Sequence, residues 1–397
     1  MKKVLSLDIK YALTQILYFG AFCALMGYAS VFLLDKGFSN SVIGVALAMV
    51  SIMSVFTQPA LAAFADKNPQ IELRQIVEII MVVVLALSVL ICFLGSASLF
   101  LLCVFVSIST CMTTIQPLFN SMAFAFEKYG IEINYGLARG LGSAAYAFVS
   151  LILGYLVVAF DTTIIPIIYI LFNVLLIVVV HLFVLPKEVT QNEKVEVLNE
   201  TTQKQLSFIE FCKQYHQFMI FVLGTVAVFF THTIINNFFI QILKPIGGNA
   251  SDMGTAVFLA AIVELPAMGL FNKIREKISC SQLLKISVIL FAVKHLLTLI
   301  APNMIMIDIA QLLQVGAYAI FIPASVYYVN QIISQNDRVK GQSMVTMAMT
   351  ASGILANFLG GILLDAVGVN KVLMIGVVIS IIGAVVVSLS IEKTMKE

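Results

Sequence analysis

The chain has 397 residues, of which 60% are hydrophobic and only 11% charged, and its mean hydropathy is +1.03. A soluble domain carries about 45–50% apolar and 25% charged residues, so a soluble globular protein is excluded, and so is disorder, which needs the opposite composition. A formal net charge of +2 is too small to point to nucleic acid, which leaves an integral membrane protein embedded in a lipid bilayer.

In chain order, twelve apolar runs are long enough to cross a membrane, which takes about 20 residues per helix. They cover roughly 11–34, 42–64, 75–94, 97–126, 137–159, 163–185, 217–243, 252–272, 282–300, 304–334, 342–366 and 371–391. The runs are continuous rather than alternating, which predicts helices and not the strands of a porin-type barrel. No small-residue cleavage pattern follows an early run, so the first is expected to be a retained helix. Nineteen of the 23 Lys and Arg fall at the termini and the even-numbered connections, against Lys36, Lys244 and Lys371 on the opposite side and Lys294 inside a run. That asymmetry predicts both termini in the cytoplasm, in a multi-pass protein of the inner membrane. The six cysteines show no ligand spacing, and no disulfide framework is expected.

The longest polar stretch lies between the sixth and seventh runs. It predicts a six-helix bundle over 1–185, a cytoplasmic linker over 186–214 and a second bundle over 215–397. An internal repeat supports the division. Gln58-Pro59-Ala60-Leu61-Ala62-Ala63-Phe64 matches Leu265-Pro266-Ala267-Met268-Gly269-Leu270-Phe271 at an offset of 207, Gly154 matches Gly361 at 207, and Pro117 matches Pro323 at 206. Parallel repeats of this kind imply a pseudo-two-fold axis along the membrane normal and a substrate site between the halves.

Polar residues inside the runs are the functional clues, because each needs a partner or a cavity. Glu264 in the eighth run and Lys294 in the ninth lie roughly 12 and 18 Å from the terminal side at 1.5 Å per residue, near enough for long side chains to meet. They are either a structural ion pair or a proton-coupling pair, and burial in a membrane favours the second. Arg139 opens the fifth run, with Ser143 and Tyr146 at i+4 and i+7 on its face, and Gln116 and Asn120 are one turn apart on the fourth. Arg139 reads equally as a snorkelling cation or as a fork for substrate hydroxyls or a carboxylate. His232/Asn236 and Thr233/Asn237/Gln241 make two stripes on the seventh run, and Asp308, Gln311, Gln314 and Tyr318 line the tenth. His232 and His295 are expected to be packing residues. Asp66 and Lys67, with Arg74, are expected to bind neighbouring helix ends as a cytoplasmic gate. No nucleotide motif or His/Cys metal cluster is present, so neither an enzyme nor an ATP-driven pump is expected, and no cofactor or metal.

Four segments in order carry a family resemblance: Phe56-Thr57-Gln58-Pro59 with Asp66-Lys67; Tyr135-Gly136-Leu137-Ala138-Arg139-Gly140-Leu141-Gly142; Glu264-Leu265-Pro266; and Gly360-Gly361-Ile362-Leu363-Leu364-Asp365. The chain resembles the major facilitator superfamily, and within it the lactose-permease-like oligosaccharide/proton symporters and their phenylpropionate-permease-like relatives. The resemblance puts Arg139 at the sugar-binding arginine and Glu264 at the coupling carboxylate, and Lys294 in place of an arginine. Tyr146 stands where the family has a ring-stacking Trp, of which this chain has none. Asn120 and Asn236 replace acids, and Tyr318 and Phe321 stand where the family has a His and its proton-carrying Glu. The expected function is therefore proton-coupled transport of a sugar or similar small polar solute by alternating access. Substrate binding is expected at Arg139, Asn120, Gln116, Tyr146, Asn236, Asn237 and Tyr318, and coupling at Glu264 and Lys294, in a functional monomer. The alternatives are a permease for an aromatic or other organic acid anchored by Arg139, and a non-transporting membrane sensor.

Overall fold

A computed structural model describes residues 2–68, 70–124, 133–184 and 207–394. Twelve helices are long and apolar enough to span a membrane: α1 Leu7–Gly27, α2 Asn40–Lys67, α3 Leu73–Cys92, α4 Leu99–Met122, α5 Tyr135–Phe160, α6 Ile164–His181, α7 His216–Asn237, α8 Ala250–Gly269, α9 Cys280–Ile300, α10 Met304–Ile332, α11 Gln335–Val367 and α12 Val369–Ser390. Most of the expected linker, and its boundary at 185/186, lies outside the described residues. Its end forms a short helix, Phe208–Gln214, started by a capping box in which Ser207 and Glu210 bond each other's backbone N–H. The helices form two compact units, Met1–Phe38 with Met49–Asn199, and Ser39–Ala48 with Glu200–Glu397.

In the first unit, hydroxyls join α2 to α4. Ser54 Oγ lies 2.5 Å from Thr113 Oγ1, Thr57 Oγ1 lies 2.6 Å from Thr114 Oγ1, and Gln58 Nε2 donates to the Thr113 carbonyl at 3.0 Å. Such bonds hold helices together where lipid supplies no hydrophobic drive. Charges complement helix ends on the terminal side. Arg74 Nη1 donates to the His181 carbonyl at 3.3 Å and Lys10 Nζ to that of Leu182 at 2.9 Å, both at the negative C-terminal end of α6. Arg74 thus binds a neighbouring helix end as expected, while Asp66 and Lys67 are exposed at the end of α2.

In the second unit, glycines allow close packing of α7 on α12. A Cβ on Gly224 would lie 3.1 Å from the Gly383 carbonyl oxygen, and Thr231 Oγ1 donates to the Gly376 carbonyl at 2.6 Å. The start of α2 docks on α11 with equal closeness. A Cβ at Gly44 would lie 2.2 Å from the Asn357 carbonyl oxygen, and one at Gly361 2.3 Å from that of Asn40. Asp365 caps this end. Its carboxylate accepts from the backbone N–H groups of Asn40 at 3.2 Å and Ser41 at 2.7 Å, and from both side chains.

Four of the expected continuous runs are interrupted: the seventh turns at Phe238 before a short helix, Phe239–Leu243, the eighth turns at Leu270 before another, Phe271–Arg275, and the first and tenth break nearer their middles. The first passes through a π-turn at Cys23–Gly27 and then breaks at Tyr28, whose hydroxyl donates to the Ser150 carbonyl at 2.6 Å. The tenth breaks at a 3₁₀ turn, Leu313–Val315, before resuming at Tyr318. Ser287 Oγ on α9 donates to the carbonyls of Gly316, at 2.9 Å, and Ala317, the second of which also accepts from the Phe321 N–H at 3.1 Å. Irregular backbone inside a membrane is tolerated only with such partners.

Candidate functional site

In the first unit the best-defined contacts of a candidate residue are those of Arg139, with Ser143 and Phe19. Asn134 caps the start of α5 by accepting from the Leu137 N–H at 3.0 Å, and its own N–H goes to the Asp8 carboxylate at 2.9 Å. One turn in, Arg139 Nη1 donates to Ser143 Oγ at 2.9 Å, as the i, i+4 spacing predicts. The guanidinium carbon lies 4.0 Å from the centroid of the Phe19 ring on α1, a cation–π contact. Gly142 makes room for it, since a Cβ there would sit 2.6 Å from Phe19 Cδ2. Behind Phe19 is a tyrosine-rich wall. Tyr11 Oη donates to the Phe119 carbonyl at 3.2 Å, Tyr18 Oη to that of Met112 at 2.9 Å, and Gln15 Nε2 to Tyr11 Oη at 2.9 Å. The Gln15 Oε1 atom is buried with no hydrogen-bond partner among the described residues. Both tyrosines are within electrostatic reach of Arg139. Tyr146 is half-buried with its hydroxyl against Gly27, where a Cβ would lie 2.8 Å away. Gln116 and Asn120 are half-buried on α4.

In the second unit the centre is Lys294, fully buried on α9. Its ammonium donates to Gln314 Oε1 at 2.5 Å, and Glu264 on α8 acts on it electrostatically. Gln314 belongs to the 3₁₀ turn that interrupts α10, so the backbone break and the buried cation are neighbours. A histidine layer lies alongside. His295 Nδ1 meets Ser380 Oγ at 2.8 Å, His232 Nε2 meets Asn236 Nδ2 at 3.0 Å, and the two rings stack with centroids 6.2 Å apart. Tyr318 stacks on His232 at 5.7 Å. Both histidines are packed within the bundle, yet His232 Nδ1 and His295 Nε2 are buried without hydrogen-bond partners among the described residues. Asn237 Nδ2 donates to Asn357 Oδ1 at 2.7 Å, and Gln241 Nε2 to Asn40 Oδ1 at 3.1 Å. Asn237 therefore ties α7 to α11, and Gln241, on the short helix Phe239–Leu243 after α7, ties that helix to the start of α2, while Asn236 is exposed beside the histidine layer.

The expected residues therefore fall into two groups, Arg139 with Ser143, and Lys294 with Glu264. The sequence did not identify Phe19, Ser287, Ser380 or the closeness of Gln314 to Lys294.

Comparison with known proteins decides the family: residues 8–393, nearly the whole chain, match the MFS_1 like family. The chain belongs to that family. As an MFS-type protein it is a multi-pass membrane transporter of small molecules and not an enzyme. It is 23% identical over 387 residues to the maltose permease of Geobacillus stearothermophilus, covering 96% of this chain and 93% of that one. It is 26% identical over 169 residues to the uncharacterized transporter YwbF of Bacillus subtilis (strain 168), a match that spans 42% of each chain. Among solved structures, the nucleoside transporter NupG superposes with a TM-score of 0.77 at 15% identity, over 98% of this chain and all of that one. A bacterial homologue of the iron transporter ferroportin, in its inward-facing state, gives 0.73 at 14% identity over 98% and 99%. At these identities the structures show the MFS fold alone.

Proposed function

We propose that this transporter is a proton-coupled symporter that carries a sugar or oligosaccharide by alternating access. The observation that carries the coupling is the Lys294 centre, a fully buried cation on an amide, with Glu264 in electrostatic reach and an interrupted helix beside it. A carboxylate that meets Lys294 in one state and leaves it in another binds a proton on separation and releases it on return. The saccharide class is supported by the full-length likeness to a maltose permease. It is also supported by the Arg139 fork with Tyr146, Gln116 and Asn120, which offer the donors and aromatic faces that sugar rings need. Asn236, Asn237 and Tyr318 are assigned to the same substrate on the side of the second unit. We further assign both termini to the cytoplasmic face of an inner membrane, Asp66 and Lys67 to a gate there, and the monomer as the working form.

A second reading rests on one observation. The partners described for Arg139 are neutral, the Ser143 hydroxyl and the Phe19 ring, and a free carboxylate on a substrate would complement that charge. The test is uptake into proteoliposomes under an inward proton gradient, with labelled maltose, longer maltosaccharides and aromatic carboxylates. The expected result is saccharide accumulation that a protonophore abolishes. Accumulation of the carboxylates alone would establish the second reading instead.

A further inference from the structure

Helices α9 and α12 pack side by side in the second unit, and their outer faces leave an open groove of about 470 Å³ between them. Ala292 and Ala384 are small residues on its floor, and Val293 and Leu296 of α9 and Val385 and Leu389 of α12 are among the side chains that line it. The groove is apolar, and Val385 and Leu389 are 52% and 82% exposed, so in a bilayer it is filled by acyl chains. Its end on the terminal side carries charge. Lys285 precedes Ile289, another lining residue, by four positions and so continues the same face of α9.

The second charge comes from the segment after α12. Ser281, one turn before Lys285, donates its N–H to Thr394 Oγ1 at 2.9 Å, and the Thr394 N–H returns a bond to Ser281 Oγ at 3.3 Å. This clamp fixes exposed Lys393 beside the first turn of α9. The Glu392 backbone N–H donates to Tyr328 Oη on α10 at 3.0 Å, a second bond that holds this segment against the bundle. Two cations therefore mark the mouth of an apolar trough. From Lys285 to Leu296 is eleven residues, about 16 Å of helix, which matches one leaflet of a hydrocarbon core about 30 Å thick.

We propose that this groove is a binding site for an anionic phospholipid, with its phosphate between Lys285 and Lys393 and an acyl chain lying between α9 and α12. A zwitterionic lipid brings its own cation to the same place, so the two lysines select for net negative headgroups. The chain contains no Trp, which allows a direct test. Val385→Trp places a single fluorophore in the groove, and Ile152→Trp, on α5 and 55% exposed, reports ordinary lipid contact. Each full-length variant is reconstituted in vesicles of phosphatidylcholine mixed with brominated phosphatidylglycerol, or with brominated phosphatidylcholine. The ratio of quenching by the two brominated lipids cancels differences in depth. The expected result is a severalfold preference for phosphatidylglycerol at Val385→Trp, none at Ile152→Trp, and loss of the preference when Lys285→Gln and Lys393→Gln are added. Equal quenching at Val385→Trp, the same preference at Ile152→Trp, or a preference that survives the lysine changes would each overturn the proposal.

Discussion

At Arg139 the packing partner is an aromatic ring, and the chemistry follows from that. The guanidinium stacks on Phe19 and spends one N–H on Ser143, so the fork is held in one orientation before any ligand arrives. A lysine at 139 keeps the charge but loses the plane and the stacking. A cation–π contact is worth about 0.5–2 kcal/mol, which corresponds to a several-fold change in affinity. Arg139→Lys is therefore expected to weaken substrate binding several-fold and Arg139→Ala to abolish it, with both variants folded in detergent. Binding is read from ligand-dependent thermal shifts; unchanged binding by Arg139→Ala would reduce the residue to a helix-end cation. The i, i+4 spacing of Arg139 and Ser143 was legible in the sequence because it is local. Phe19 was not, since it lies 120 positions away and no local pattern joins an aromatic on α1 to a cation on α5. Nor does the sequence show that Gly142 is what admits the Phe19 ring.

At the level of helices, the number of spans was legible because hydropathy is additive along a run, and all twelve are present. The interruptions were not, because hydropathy continues across Cys23–Gly27 and Leu313–Val315 while only the hydrogen bonding changes. What stabilises the break in α10 is a hydroxyl on another helix, Ser287, donating to two carbonyls. Ser287→Ala removes the donor; the Ala317 carbonyl keeps the Phe321 N–H, and the Gly316 carbonyl loses its described side-chain partner, at about 1–3 kcal/mol. A lowered melting temperature in detergent is expected, together with loss of coupled transport, since Gln314 and Lys294 sit at the same break. An unchanged melting temperature would mean that water or neighbouring backbone supplies the bond. A second helix-scale expectation concerns α2 and α11. At Gly361 an added Cβ meets backbone, the Asn40 carbonyl oxygen at 2.3 Å, which cannot rotate away. Gly361→Ala should push the start of α2 off α11 and break the Asp365 cap. In a Ser41→Cys background this reads as faster thiol labelling, and an unchanged rate would show that the helices absorb the methyl group.

For the whole molecule, the question is what links solute movement to an ion gradient. Composition gave the membrane, and the run count gave the helices. The polar residues inside the runs pointed to Glu264 and Lys294 because lipid makes every such residue expensive. They did not reveal that the ammonium is held by Gln314 at the broken helix, since that contact depends on the local path of α10. If Glu264 binds the proton, Glu264→Gln locks the carboxyl position in its neutral form. The variant should bind substrate and exchange it across the membrane at rates near the wild type, because neither step requires net proton movement. It should fail to accumulate substrate under an imposed pH gradient, because the proton can no longer load and unload. Lys294→Ala should also lose accumulation, for a different reason. It removes the charge that acts on half-buried Glu264 and the ammonium that Gln314 holds, so its melting temperature should fall while that of Glu264→Gln does not. Uptake and counterflow in the same proteoliposomes separate these outcomes. If Glu264→Gln still concentrates substrate when the interior is alkaline, the proton travels by another group and the pair only holds α8 to α9. If it loses counterflow as well, Glu264 contacts the substrate directly rather than serving the gradient alone.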